Sequence, residues 1–249
     1  LALRESGLLK TEVSRLTLEP IAAGVGLMGE LGRLHVEYAG DEALPATIIA
    51  KCAAQNENRE IARLLDFYNR EVNFYNRLSD SCPLNIPISY YGAVRSDTYD
   101  FVLLMEDLGE VSPHDQLVGA TREEVFGAIT NIAGLHAIHW NKMDVGFDWV
   151  FAMASDFEAG RLQDLVYGPA LEPAIEKFPK FFDTEMIELC RNVGRKFVSF
   201  WTGSSCPDTF VHGDYRQDNM IYGDDMDNTL VIDWQISGRG KGIFDVTYF

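Results

Sequence analysis

The 249 residues are 47% hydrophobic and 24% charged, with 21 Lys and Arg against 38 Asp and Glu, for a net charge of −17. This composition excludes disordered, collagen-like and disulfide-scaffold chains, and no apolar run of about 18 residues exists to cross a membrane as a helix. The acidic balance excludes a nucleic-acid partner gripped through a broad basic face, while the length suits one large domain or two lobes sharing a cleft.

Cys52, Cys82, Cys190 and Cys206 form no C-x-x-C pair and have no His at zinc-ligand spacing. They read as reduced, mostly buried thiols of a cytoplasmic protein. The chain opens on Leu1-Ala2-Leu3-Arg4, without Met or a signal-peptide pattern, and closes on the apolar-rich segment 244–249. It therefore reads as trimmed, with a C-terminal portion expected beyond it.

The first hundred residues read mostly as strands. Residues 30–38 alternate, with Leu34, Val36 and Tyr38 on one face and Arg33, His35 and Glu37 on the other. Ala46–Cys52 is a short apolar run around Lys51, and the runs 88–94 and 99–105 are expected to form a hairpin. One helix is expected to interrupt the strands over about 58–78, where Ile61, Leu64, Leu65, Tyr68, Val72 and Tyr75 recur at helical spacing. Thr121-Arg122-Glu123-Glu124 is a capping box. The helix it opens is expected to bury Val125, Phe126, Ile129, Ala133, His136 and Trp140. Another helix is expected over about 184–201, and residues 141–180 give no clear pattern. The layout is α+β: an N-terminal β-rich lobe over 1–105 and a mainly helical lobe over 106–249.

The chemistry lies in Val211-His212-Gly213-Asp214-Tyr215-Arg216-Gln217-Asp218-Asn219, followed by Leu230-Val231-Ile232-Asp233-Trp234. Residues 220–222 and 229–232 read as strands, and Gly223–Asn228 as the turn between them. Such a hairpin brings Asn219 and Asp233 together at its open end, with Asp214 on the preceding loop. An amide and a carboxylate make a hard-oxygen pair suited to Mg²⁺, whose other ligands are usually water and phosphate. A separate Asp can align a hydroxyl proton, and phosphoryl transfer needs both functions.

H-G-D-x-x-x-x-N followed by I-D-W resembles the catalytic loop and metal-binding Asp of the protein-kinase-like small-molecule kinases, the aminoglycoside phosphotransferase and choline kinase group. Met28-Gly29-Glu30-Leu31, Leu104-Met105-Glu106-Asp107-Leu108 and Leu135-His136-Ala137 look most like its ecdysteroid-kinase-like branch. The resemblance spans roughly residues 20–249 and implies a two-lobed kinase-like fold. By that likeness Asp214 matches the Asp that orients or deprotonates the acceptor hydroxyl. Asn219 and Asp233 match the metal ligands, His212 supports the loop, and Arg216 offsets charge near the transferring phosphate. Lys51 resembles the kinase strand lysine. Glu71 is its expected ion-pair partner, preferred over Glu60. Gly24, Gly26 and Gly29 stand where a nucleotide-covering loop belongs, although a G-x-G-x-x-G pattern alone is also that of a plain hairpin turn. Met105–Leu108 is the expected hinge, with the Glu106 carbonyl and the Leu108 amide facing adenine.

The resemblance thus implies transfer of the γ-phosphoryl group of ATP, with Mg²⁺, to a hydroxyl of a small molecule: an aminoglycoside-, choline- or steroid-like alcohol. A protein kinase proper is disfavoured, since H-R-D, D-F-G and A-P-E are missing. A nucleotide-binding module without turnover is disfavoured by the intact Lys, Asp, Asn, Asp set. Three further features read as structural. His136 reads as a satisfied core histidine, the acidic stretch 224–228 as a solvated turn rather than a calcium loop, and Gly238-Arg239-Gly240-Lys241-Gly242 as a mobile loop in the activation-segment place.

Overall fold

Strand-forming residues of the first hundred positions assemble into one antiparallel sheet. In the computed structural model, which describes residues 2–5, 7–21, 28–41, 44–111, 113–144, 146–153, 155–223 and 229–249, its strands are β1 (Val13–Ile21), β2 (Gly29–Tyr38), β3 (Thr47–Ala53), β4 (Ser89–Val94) and β5 (Phe101–Glu106). Their order is β1-β2-β3-β5-β4. Because successive side chains of a strand point to opposite faces, Val36, Ile48, Ala50 and Leu104 cluster on one face, with Leu34, Tyr38, Tyr90, Tyr91 and Val102 packed around them. Lys51, Phe101 and Leu103 occupy the other face. The β4–β5 hairpin is closed by the Arg95 amide donating to the Asp100 carbonyl at 2.8 Å, with Tyr99 at φ +58°.

The α-helices are α1 (Ala2–Glu5), α2 (Asn58–Leu64), α3 (Phe67–Arg77), α4 (Arg122–His139), α5 (Asp156–Leu162), α6 (Gly168–Lys177), α7 (Thr184–Arg195), α8 (Phe197–Thr202) and α9 (Ile243–Tyr248). The single helix expected over 58–78 is broken in two. Asp66 adopts left-handed backbone, φ +58°, a region in which Asp is among the few tolerated residues. Its carboxylate accepts from Asn69 Nδ2 at 2.8 Å and from the Tyr99 hydroxyl at 3.1 Å. The break turns Ile61 and Leu64 out to 41% exposure each, while Leu65, at 5%, stays buried along with the α3 half of the expected apolar stripe. There Tyr68 stacks on Phe101 with ring centroids 4.5 Å apart, and Phe67, Tyr68, Val72, Phe74 and Tyr75 are buried.

The capping box of α4 forms as expected: the Thr121 amide donates to Glu124 Oε2 at 2.6 Å, and the Glu124 amide to Thr121 Oγ1 at 3.2 Å. The buried face of α4 differs from the expected one. Ala128, Ile132, Leu135, His136 and His139 are buried, whereas Phe126 is 62% and Trp140 41% exposed. An apolar residue near a helix end satisfies a helical period without having a neighbour to pack on. The helix expected over 184–201 is interrupted at Lys196, which caps both α7 and α8. Asp183 caps the start of α7 by accepting from the Met186 amide at 2.8 Å.

The chain separates into two compact units. One comprises residues 1–138, 212–237 and 245–249; the other comprises 139–211 and 238–244. The second is mainly helical and holds α5, a π-helical turn (Gln163–Tyr167), and α6 to α8. It also contains a short antiparallel ribbon of β6 (Asp208–Val211) with β9 (Gly238–Lys241). The stretch read as a mobile loop over 238–242 is thus largely strand β9, and Lys241 Nζ lies 2.8 Å from Asp208 Oδ1. In the first unit β7 (Met220–Ile221) and β8 (Leu230–Val231) form the expected hairpin; the acidic stretch 224–228 lies outside the described residues. The cysteines are free and only partly buried, more accessible than expected. Among the described residues no helix is long and apolar enough to cross a membrane.

The Tyr68 hydroxyl accepts from the buried Ala54 amide at 3.0 Å and donates to the Met28 carbonyl at 2.8 Å. Tyr68→Phe orphans both, so urea unfolding should show a loss of about 1–3 kcal/mol; a change within error would mean that water replaces the hydroxyl.

Candidate active site

Lys51 stands in β3 opposite Leu31 of β2 and Leu103 of β5. Few charged groups are left in such a place without partners. Its Nζ donates at 2.8 Å to Glu71 Oε1 and at 2.8 Å to Asp233 Oδ1. Burial works against the ammonium, but Asp233 and Glu71 together outweigh it and hold Lys51 above its ordinary value. Burial also pushes the Glu71 carboxyl up, against the pull of Lys51 and with the help of Asp233. One cation shared by two carboxylates leaves the cluster net negative. Glu60, the other candidate partner, lies exposed in the first turn of α2.

Glu71 and Phe74 are one helical turn apart on α3, hence on the same face. Phe74 stacks on Trp234 at 3.7 Å between centroids and 7° between planes. Trp234 is fully buried and follows Asp233, whose φ is +65°. The stack therefore delivers the Asp233 carboxylate to Lys51. Gln235 Nε2 donates to the other oxygen, Asp233 Oδ2, at 3.2 Å.

The loop 212–219 is held by a second set of contacts. Gly213 has φ +84°, and a Cβ there would meet the Ile236 carbonyl oxygen at 2.4 Å, so only glycine fits. Asp214 is 7% exposed. Its Oδ1 accepts from Arg216 Nε at 3.1 Å and its Oδ2 from Asn219 Nδ2 at 2.8 Å. Arg216 Nη1 also donates to Asp218 Oδ2 at 2.5 Å. The Ile232 amide donates to the Asn219 carbonyl at 3.0 Å, which joins the open end of the β7–β8 hairpin and sets Asn219 beside the approach to Asp233. Neutral His212 is favoured by burial, which lowers its pKa against the pull of Asp245, and its Nε2 meets the Ile232 carbonyl at 3.0 Å.

Three contributors were not read from the sequence. Asp245 of α9, fully buried, accepts from the His212 amide at 2.9 Å and the Gly213 amide at 2.8 Å. Its signal was an acid embedded between Phe244 and Val246. Tyr248, one turn later on α9, has its phenol pushed up by burial and by a hydrogen bond with Asp214. Arg33 of β2 forks onto Asp107, 2.6 Å from Nε to Oδ2 and 3.1 Å from Nη2 to Oδ1, and Nη2 also reaches the Gly109 carbonyl at 3.1 Å. That hydrogen bond holds the Asp107 carboxyl below its ordinary range and braces the segment after β5. Glu106 ends β5, where its amide donates to the Ile88 carbonyl at 2.8 Å; Leu108 follows, half-buried. Gly29 begins β2 beside Cys52, while Gly24 and Gly26 lie outside the described residues.

The donor chemistry fits a divalent cation. Asn219 commits its amide nitrogen to Asp214, so its oxygen is the atom left to offer, and the Asp233 side chain keeps 28% of its surface. Among the described residues no group of three His, Cys, Asp or Glu forms a self-sufficient cage.

The antiparallel sheet, the helix α3 laid on it and the helical part define a kinase-like fold. Residues 55–249 match the model of the phosphotransferase enzyme family (APH), and the chain belongs to that family. Among solved structures, the GDP and kanamycin complex of an aminoglycoside phosphotransferase matches with a TM-score of 0.58 at 15% identity, covering 99% of this chain and 77% of that one. A putative fructosamine-3-kinase from Haemophilus somnus 129PT matches at 0.52 and 19%, covering 98% and 72%. Choline kinase from Cryptosporidium parvum Iowa II matches at 0.53 and 14%, covering 92% and 60%. At these identities the likeness concerns the fold. No curated protein matches the chain in sequence.

Removing one partner of a buried ion pair strands the other. Lys51→Ala should therefore cost about 3–5 kcal/mol in denaturant unfolding, and K51M/E71L should recover much of it. A single variant as stable as the parent would mean that Glu71 is not held as a buried charge.

Proposed function

We propose that this chain transfers the γ-phosphoryl group of ATP to a hydroxyl of a small molecule, within the ecdysteroid-kinase-like branch of its family. The observation that carries the reading is the convergence, inside one compact unit, of the shared Lys51–Glu71–Asp233 cluster with the Asp214–Arg216–Asn219 cluster. The proposed division of labour puts nucleotide binding in residues 1–105 and acceptor binding and catalysis in 106–249.

Lys51 spends two of its three N–H groups on Glu71 and Asp233 and has a third for a phosphate oxygen. Gly24, Gly26 and Gly29 would cover the triphosphate, and the Glu106 carbonyl and Leu108 amide would meet the base. Asn219 and Asp233 would hold Mg²⁺. When bound, that ion supplies charge neutralisation on the phosphates and helps to align them.

Asp214 has a donor fixed on each oxygen and the Tyr248 hydroxyl bonded to the same carboxylate, which together lock its rotamer and leave one lone pair for an acceptor hydroxyl. The hydroxyl oxygen attacks the γ-phosphorus as the bond to the leaving ADP oxygen breaks. Asp214 orients that hydroxyl and takes its proton. Arg216, already tethered to Asp214 and Asp218, faces the charge that spreads over the transferring group.

The acceptor alcohol is chosen among aminoglycoside-, choline- and steroid-like compounds by a panel read through ATP consumption, with GTP tested in parallel. ATP with Mg²⁺ at about 100 times its Kd should raise stability by about 2.7 kcal/mol in a thermal-shift titration. Asp233→Ala should remove the Mg²⁺-dependent part of that shift. Asp214→Asn should lower kcat about 10²–10⁴-fold with little change in the KM for ATP. No nucleotide shift in the parent, and none lost in the Asp233 variant, would sink the reading.

A further inference from the structure

β1 ends the sheet, and among the described residues no strand pairs with its outer edge. It is exposed from Val13 to Pro20. Leu16 and Leu18 are the most open of its apolar residues, at 58% and 61%. They stand opposite Val36 and Leu34 of β2, hence on the face that holds the Val36, Ile48, Ala50 and Leu104 cluster. Arg15, Thr17 and Glu19 alternate with them onto the other face, opposite Glu37, His35 and Arg33. The direction of the backbone groups follows from one hydrogen bond. The Val36 amide donates to the Ala46 carbonyl at 2.7 Å, immediately before β3 begins at Thr47. Main-chain groups of successive strand residues point to opposite edges, so Arg33, His35 and Glu37 bond to β1, through Glu19, Thr17 and Arg15. The N–H and C=O groups of Leu16 and Leu18 therefore point out of the open edge. Pro20 is in phase with them, so the N–H it lacks would also have pointed outward and β2 loses no bond.

We propose that β1 is a homodimer interface, in which a second copy of the chain pairs its own β1 antiparallel to this edge about a two-fold axis at Thr17. The strand is complementary to itself in that register. Arg15 falls opposite Glu19 of the partner subunit, and Leu16 opposite Leu18 of the partner subunit, each pair twice by symmetry. The outward groups of Leu16 and Leu18 close four main-chain hydrogen bonds across the axis, and Pro20, without a donor, limits the ladder beyond them. On one face the two leucines of each copy extend the row begun by Leu34 and Val36. On the other, Arg15, already 3.5 Å from Glu37, gains a second carboxylate, and Glu19, 2.8 Å from His35, gains a guanidinium. The charges of β1 cancel, with one Arg and one Glu in nine residues, so the strand itself does not repel its copy. The two five-stranded sheets then become one, with the face that bears Lys51 on the same side in both copies.

Sedimentation velocity over a concentration series should show a monomer–dimer equilibrium. About 0.15 M salt, with a Debye length of about 8 Å, screens the repulsion of two chains of net charge −17. Leu16→Lys with Leu18→Lys alters only exposed side chains, so circular dichroism should be unchanged while the dimer is lost. Arg15→Glu sets like charges opposite each other twice and should raise the dimer Kd about tenfold, and R15E/E19R should recover it. Two measurements read the register. Amide exchange at Leu16 and Leu18 should slow about tenfold as dimer replaces monomer, while that at Thr17, already bonded to β2, should stay the same. Facing residues of a non-hydrogen-bonded pair have Cα atoms about 4.5 Å apart, within the reach of a disulfide. Thr17→Cys, oxidised by oxygen with copper phenanthroline, should therefore link into a dimer faster than the parent with its free cysteines. Leu18→Cys, which faces Leu16 of the partner subunit and not itself, should not. A parent that stays monomeric throughout the series overturns the proposal and leaves Pro20 as the guard of a solvated edge. So does a dimer that survives both lysines, or one in which Leu18→Cys links as fast as Thr17→Cys. Slow exchange at Leu16 and Leu18 in a monomer would give the edge to another segment of the same chain, and also overturns it. None of these outcomes involves nucleotide or turnover, so the phosphotransferase reading stands or falls separately.

Discussion

An ammonium group in the middle of a β-sheet must be neutralised where it stands, because desolvating an unpaired charge costs far more than any single contact returns. Lys51 is that group, and its two acids come from 20 and 182 residues away in sequence. Satisfying it therefore requires α3 to cover one face of the sheet, and the segment after β8 to return to that helix. The same condition that lets β3 keep its lysine brings the sheet, the helix and the Asp233 segment into one site.

The apolar contacts around the pair enforce this convergence. Phe74 on α3 and Trp234 after Asp233 stack almost in parallel, so the carboxylates at 71 and 233 are positioned by the rings three residues and one residue away. The helix break at Asp66 belongs to the same design. By turning the chain there, it directs the apolar residues of α3 onto the sheet and leaves Ile61 and Leu64 outside, while Ala62 and Leu65 stay buried. The loop 212–219 shows a complementary strategy: Gly213 removes the side chain that would strike Ile236, and Asp245 takes up the amides that the resulting turn exposes.

What the sequence disclosed follows from how far its signals reach. Strand alternation, the capping box at Thr121 and the 220–232 hairpin are local patterns, and they were legible. Family resemblance, rather than any local pattern, singled out Lys51 and picked Glu71 over Glu60, and the structure brings that pair together with Asp233, and Asp214 together with Asn219. The break at Asp66 was not legible, because it depends on Tyr99 of a distant hairpin reaching its carboxylate. The buried face of α4 was misjudged because period alone counts Phe126 and Trp140 as equivalent to Ile132 and Leu135. Asp245 and the Arg33–Asp107 fork were missed for the same reason: an acid is read as functional or solvated until the fold shows what donates to it.

The net charge takes on a different meaning at the level of the site. Lys51 and Arg216 face four carboxylates there, those of Glu71, Asp233, Asp214 and Asp218. On the proposed reading a polyphosphate entering alone would meet a site whose own cations are already outnumbered, and in a low-dielectric pocket that repulsion is weakly screened. Nucleotide and divalent cation must then enter as a coupled pair, each supplying what the other lacks. The same imbalance explains why Asp214 is tied on both oxygens before any substrate arrives. An untethered carboxylate in such a field would turn towards an incoming cation, and the donors on Asn219 and Arg216 hold its orientation fixed instead.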